Sequence, residues 1–131
     1  FSQAFFRESL YKSLGFDTVE ELLCAWEEDH LQWDANNLLT KLWTWQYADI
    51  SANPVYRGDF HRALSAIKAK AILIPCSSDL YVPPEDNEIE LGHMPNAELR
   101  TYHSTWGHCV ASPGNDPEFI RFLERAIEEL L

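Results

Sequence analysis

The chain has 131 residues, 46% of them hydrophobic and 24% charged, and a formal net charge of −11. That length fits one domain and that balance a soluble globular protein. The negative charge argues against nucleic acid or an anionic membrane as partner, and no apolar run approaches the roughly 20 residues that span a bilayer. The cysteines, Cys24, Cys76 and Cys109, are scattered and odd in number; they read as reduced thiols and favour a cytoplasmic location. No signal-peptide pattern opens the chain, and Phe1 in place of Met predicts a start inside a longer gene product or after a cleavage.

Residues Ser2 to Leu14 read as a helix, with Phe5, Phe6, Ser9, Leu10 and Leu14 on or near one face and Gly15 as its stop. Asp17 or Thr18 caps a second helix, whose Glu20 and Glu21 favour the positive end of the dipole. Leu22, Leu23 and Trp26 form its apolar side, and Glu27, Glu28 and Asp29 a solvated one. A third helix runs from about Asp34 to Asp49. Its Leu38, Leu39, Leu42, Trp43 and Trp45 are apolar on more than one side, which predicts packing against two neighbours. Trp26, Trp33, Trp43 and Trp45 read as packing residues, although an aromatic lid could also line an apolar pocket.

Ile50 to Gly58 is turn chemistry, and Phe60 to Ala69 a short helix. Then the pattern changes. Ala71 to Pro75 reads as a buried strand, Pro84 to Leu91 as a helix, Glu98 to His103 as a second buried strand, and Glu118 to Leu131 as an amphipathic helix. The loop from Ser104 to Pro117 holds Gly107, Pro113 and Gly114. Parallel strands joined by a helix make a βαβ unit. Two buried strands cannot close a core on both faces. The chain therefore reads as α/β, the end of a larger sheet whose beginning lies elsewhere.

The first strand ends in Cys76-Ser77-Ser78-Asp79, the second in Ser104-Thr105-Trp106-Gly107-His108. Open α/β sheets place their chemistry at the C-terminal ends of strands. An acid after one strand and a His after the next are two members of a nucleophile–base–acid triad. Asp79 and His108 lie 29 positions apart, a separation that loops on neighbouring strands can close. Gly107 permits a tight approach or a positive φ. The alternative is an Asp in a strand-end turn and a His in a surface loop. His93, His103, His108 and Cys109 match no zinc spacing. Cys76 reads as core, and Cys109 as a pocket-lining residue rather than a nucleophile.

Ser78-Asp79-Leu80-Tyr81-Val82-Pro83-Pro84-Glu85, Met94-Pro95-Asn96-Ala97-Glu98-Leu99, Ser104-Thr105-Trp106-Gly107-His108 and the upstream Asp34-Ala35-Asn36-Asn37-Leu38-Leu39 resemble, in the same order, the closing third of the homoserine O-acetyltransferase family of the α/β-hydrolase superfamily. The resemblance implies the C-terminal part of an α/β-hydrolase fold. Residues 1–53 would be a helical lid or cap region, and 54–131 the end of the core with the last two parallel strands. It implies Asp79 as triad acid and His108 as base; Trp106 and Cys109 are separately expected beside the substrate, and no metal is expected. It also implies acetyl transfer from acetyl-CoA, a donor rather than a bound cofactor, to an alcohol through an acyl-serine. A homodimer of the complete enzyme through the lid helices is a further implication.

None of the nine serines lies in a Gly-x-Ser-x-Gly elbow. The nucleophile is therefore expected from an N-terminal segment of about 200 residues or more, or from a second chain. Family members acting on homoserine usually have Gly-His-Asp where this chain has Gly107-His108-Cys109. Their Arg and Tyr around Asp34 are Gln32 and Leu38 here. Losing charged partners for the amino acid costs roughly 1.5–3 kcal/mol each, so a less polar alcohol is the expected acceptor. Two alternatives stand beside transfer: an esterase with water as acceptor, and a non-catalytic fragment or dimerisation module.

Overall fold

The computed structural model describes residues 7–112 and 115–131. The start of the first predicted helix, with Phe5 and Phe6, and the loop residues Pro113 and Gly114 lie outside them. Helix α1 is Glu8–Ser13. It ends as the sequence predicts: Gly15 sits at φ +92°, its N–H donates to the Lys12 carbonyl at 3.0 Å, and the Phe16 N–H donates to the Tyr11 carbonyl at 3.1 Å. Those two bonds satisfy carbonyls that the helix leaves open. Helix α2, Val19–Leu31, is capped by Thr18, whose side chain accepts from the Glu21 N–H, while Glu21 accepts from the Asp17 N–H at 2.8 Å. Asp34 caps α3, Ala35–Tyr47, through the N–H groups of Asn36 and Asn37.

Helix α4, Phe60–Ser65, is capped by Asp59 and leads into strand β1, Ala71–Leu73. Helix α5, Pro84–Leu91, has the predicted bounds, with Pro at its first position. It crosses over to strand β2, Ala97–Leu99. The strands pair in parallel, Ala71 with Ala97 and Leu73 with Leu99. Both are shorter than the sequence predicts, yet the pairing continues irregularly. The N–H of Tyr102 donates to the Pro75 carbonyl and that of Ser77 to the Tyr102 carbonyl, each at 2.8 Å. Pro75 has no N–H to give back, which interrupts the ladder before the isolated Cys76–Tyr102 bridge. Helix α6, Pro117–Glu128, closes the chain and is capped by Asp116.

The core lies where the strand ends meet α6. Cys76, Val110 and Phe119 are buried, with Ile74, Tyr102, Trp106 and Leu123 packed on them. Several burial expectations need correction. Every residue of β1 is only half-buried, and in β2 Glu98 is exposed, because a two-stranded sheet leaves its flanks open. Helix α3 buries none of its side chains; Leu39, Leu42, Trp43 and Trp45 are exposed, so the predicted packing against two neighbours is not met by the described residues. Of α6, Phe119 and Ala126 are buried, whereas Ile127 is exposed, as are Leu130 and Leu131 beyond the end of the helix. No described helix is long and apolar enough to cross a membrane.

Candidate functional site

Asp79 follows β1 in a turn that its own carboxylate organises. Oδ1 accepts from the N–H groups of Tyr81 at 2.7 Å and Val82 at 3.2 Å, an arrangement that Asp adopts readily in turns. The Asp79 N–H in turn donates to the Cys76 carbonyl at 3.0 Å. These bonds leave Oδ2 to face the loop after β2.

That loop carries His108 in a 3₁₀ helix, Gly107–Ala111, where the sequence predicts only loop. Gly107 enters it buried and at φ +56°, the left-handed region that the sequence expectation named. His108 Nδ1 then lies 3.0 Å from Asp79 Oδ2. The carboxylate side chain is 10% exposed and the imidazole 47%. A hydrogen bond from Nδ1–H to a carboxylate fixes the tautomer, leaving Nε2 to accept a proton. Among the described residues Nε2 has no partner.

The loops are tied together below this pair. The Ser78 hydroxyl donates to the Ser104 carbonyl at 2.6 Å, and the Cys76 thiol points at the same oxygen at 3.5 Å. Asp116 accepts from the Ser104 hydroxyl at 2.9 Å, the Tyr102 hydroxyl at 3.1 Å and the Phe119 N–H at 3.1 Å. Burial works to raise the Asp116 pKa, but these hydrogen bonds outweigh it and hold the carboxyl below its ordinary value. Burial, with the Asp116 carboxylate next, pushes the Tyr102 phenol up. Sequence reasoning singled out none of Ser78, Tyr102, Ser104 or Asp116 as supports. The available signal was Asp116-Pro117, a cap followed by Pro at the first helical position.

Trp106 and Cys109 line one cleft of about 430 Å³, together with Leu22, Trp26 and Trp33. Asp79 and His108 are not among its lining residues, so hydrogen-bond geometry rather than concavity locates the pair. Burial pushes the Cys109 thiol up, with the negative charges of Asp29 and Asp79 adding to it. A thiol held protonated is a poor nucleophile. His93 lies instead against His61, with ring centroids 3.8 Å apart. Among the described residues no group of three or more His, Cys, Asp or Glu side chains could hold a metal ion.

No family model matches the chain. It is 34% identical over 131 residues to an ethyl acetate hydrolase of Pseudomonas veronii, covering 99% of this chain and 37% of that protein. Its structure matches that of the acetyl esterase MekB with a TM-score of 0.85 and 34% identity, covering 98% of this chain and 37% of that one. A homoserine O-acetyltransferase of Chloroherpeton thalassium is 29% identical over 103 residues, 79% of this chain and 26% of that protein. The chain thus spans between about a quarter and just over a third of the length of these relatives. Its fold is that of the C-terminal part of an α/β-hydrolase.

Proposed function

We propose that this chain supplies the acid, the base and a helical lid to an α/β-hydrolase-fold esterase acting on small acetyl esters. The carrying observation is the 3.0 Å contact between His108 Nδ1 and Asp79 Oδ2. It leaves Nε2 unpartnered among the described residues, on an imidazole half open to solvent. The serine comes from a segment outside residues 1–131, since none of the chain's serines lies in a nucleophile elbow.

The reaction follows from that geometry. His108 Nε2 takes the serine proton as Oγ bonds to the ester carbonyl carbon. The proton then passes to the departing alkoxide as the C–O bond breaks, leaving an acetyl-serine. Water enters, gives a proton to His108, and its oxygen attacks the acetyl carbon. Acetic acid leaves as the proton returns to the serine, and then ionises to acetate in water. Asp79 holds the Nδ1–H tautomer throughout and offsets the charge of the imidazolium.

Similarity to acetyl ester hydrolases favours water over an alcohol as acceptor, reversing the order that the family resemblance suggested. Gln32, Leu38 and Cys109 point the same way, because they remove polar partners for an amino-acid acceptor. Acetyl transfer from acetyl-CoA is the second reading, favoured by the match to a homoserine O-acetyltransferase. In both, the lid helices are the segment 1–53 and the complete enzyme pairs through them.

The test is an assay of the protein that includes this chain and its nucleophile segment. Acetate release from ethyl acetate, without acetyl-CoA, is expected. Acetylation of alcohols by acetyl-CoA with no ester hydrolysis would replace this reading with the second. His108→Ala is expected to lower turnover by several orders of magnitude; near-normal turnover would overturn both.

A further inference from the structure

Tyr81 touches both members of the Asp79–His108 pair. Its N–H donates to Asp79 Oδ1 at 2.7 Å. Its ring lies 4.8 Å from the His108 imidazole at an interplanar angle of 75°. The same ring meets Trp45 of α3 at 5.6 Å and 79°. Trp45, Tyr81 and His108 therefore form a continuous file of edge-to-face contacts, the arrangement that aromatic quadrupoles prefer. It runs from the exposed helix α3 to the imidazole.

We propose that Tyr81 is a positioning residue through which helix α3 sets the orientation of the His108 ring. This inference rests on the esterase reading. One hydrogen bond at Nδ1 fixes a single point of the imidazole and leaves rotation about that bond open. An aromatic wall beside the ring removes that freedom, so Nε2 keeps one direction. Trp45 backs the wall. Displacing α3 withdraws the backing, and the change reaches His108 through the Tyr81 ring. The side chain of Asp79 is held independently by the turn, so the coupling acts on the base and leaves the acid in place.

The experiment uses the complete protein with Tyr81→Leu, Tyr81→Phe, Trp45→Ala and His108→Gln. It reads kcat and KM on an acetyl ester and the NMR resonances of the His108 ring. Misorientation of a catalytic group by about 1 Å costs up to a hundredfold. Tyr81→Leu is therefore expected to lower kcat by about tenfold or more with KM little changed, and Tyr81→Phe to restore it. Trp45→Ala is expected to lower kcat less and to shift the His108 resonances, although Trp45 does not touch that ring. Full kcat in Tyr81→Leu, equal loss in Tyr81→Phe, or unmoved His108 resonances in Trp45→Ala would each overturn the inference. Loss of activity in His108→Gln with full activity in Tyr81→Leu sinks only this inference. Retained activity in His108→Gln sinks the esterase reading and this inference with it. Should Tyr81→Leu fail to fold, Trp45→Ala decides, because its site is an exposed helix face.

Discussion

The Ser78 hydroxyl donates to the backbone carbonyl of Ser104 at 2.6 Å, joining the loop that carries Asp79 to the loop that carries His108. Both residues are part-buried, so an unmet carbonyl there is costly. Ser78→Ala is expected to destabilise the complete protein by about 1–2 kcal/mol, since only the weaker Cys76 thiol remains on that oxygen. Urea unfolding measures this. Ser78→Thr, which keeps the hydroxyl, should recover most of the loss.

Asp116 gives a second stability prediction, with a defined dependence on pH. Hydrogen bonds from Ser104, the Phe119 N–H and Tyr102 together overcome burial and depress its pKa. A depressed carboxyl contributes stability above its unfolded value of about 3.9, and that contribution is lost as pH falls through the still lower folded value. Asp116→Asn should therefore be less stable than the native protein near neutral pH, with the gap narrowing below about pH 4. Thermal unfolding from pH 7 to pH 3 checks it. A gap that widens in acid would contradict the hydrogen-bond account. Asp116→Ala also removes the α6 cap and should cost about 1–2 kcal/mol at neutral pH.

The local features of this fold were legible in the sequence. Asp34 before a helix, Pro84 at the start of α5 and Gly15 at the end of α1 act on backbone groups within a few residues, so composition alone places them. The parallel pairing was legible because an apolar run, a helix and a second run admit few topologies. The approach of Asp79 to His108 followed from strand ends being adjacent. Coverage was not legible. Whether Leu39 or Ile127 is buried depends on what packs over α3 and α6, which no local pattern encodes. The Asp116 and Tyr81 contacts depend on side-chain directions across loops, and a 3₁₀ helix such as Gly107–Ala111 carries little periodicity to detect.

The thiols should separate by reactivity. Cys24 is exposed, Cys76 buried and Cys109 intermediate. Burial, helped by nearby carboxylates, raises the Cys109 pKa, which lowers its thiolate fraction at neutral pH. Labelling with a neutral maleimide near pH 7, read by peptide mass, should modify Cys24 first, Cys109 slowly and Cys76 only on unfolding. Fast labelling of Cys109 would contradict the burial that suppresses its thiolate. If Trp106 and Cys109 line the acyl or alcohol pocket, occupation of that cleft by an ester analogue should slow Cys109 labelling further and leave Cys24 unchanged.

Gly107 and Gly15 both occupy the left-handed region, at φ +56° and +92°, yet their substitution should have different consequences. A Cβ at Gly15 meets nothing within 4 Å. Gly15→Ala therefore carries only the conformational penalty of an L-residue there, about 1–2 kcal/mol, and lies far in sequence from Asp79 and His108. Its kcat should match the native value. Gly107→Ala carries the same penalty at a buried position immediately before His108. Relief of the strain by rotation toward negative φ would swing the 3₁₀ helix and move Nδ1 off the 3.0 Å contact with Asp79 Oδ2. The expected result is a similar loss of stability together with a fall in kcat of about tenfold or more, the scale of a misplaced catalytic group. Equal kcat values for the two variants, at equal stability loss, would show that the left-handed turn at Gly107 does not set the position of the imidazole.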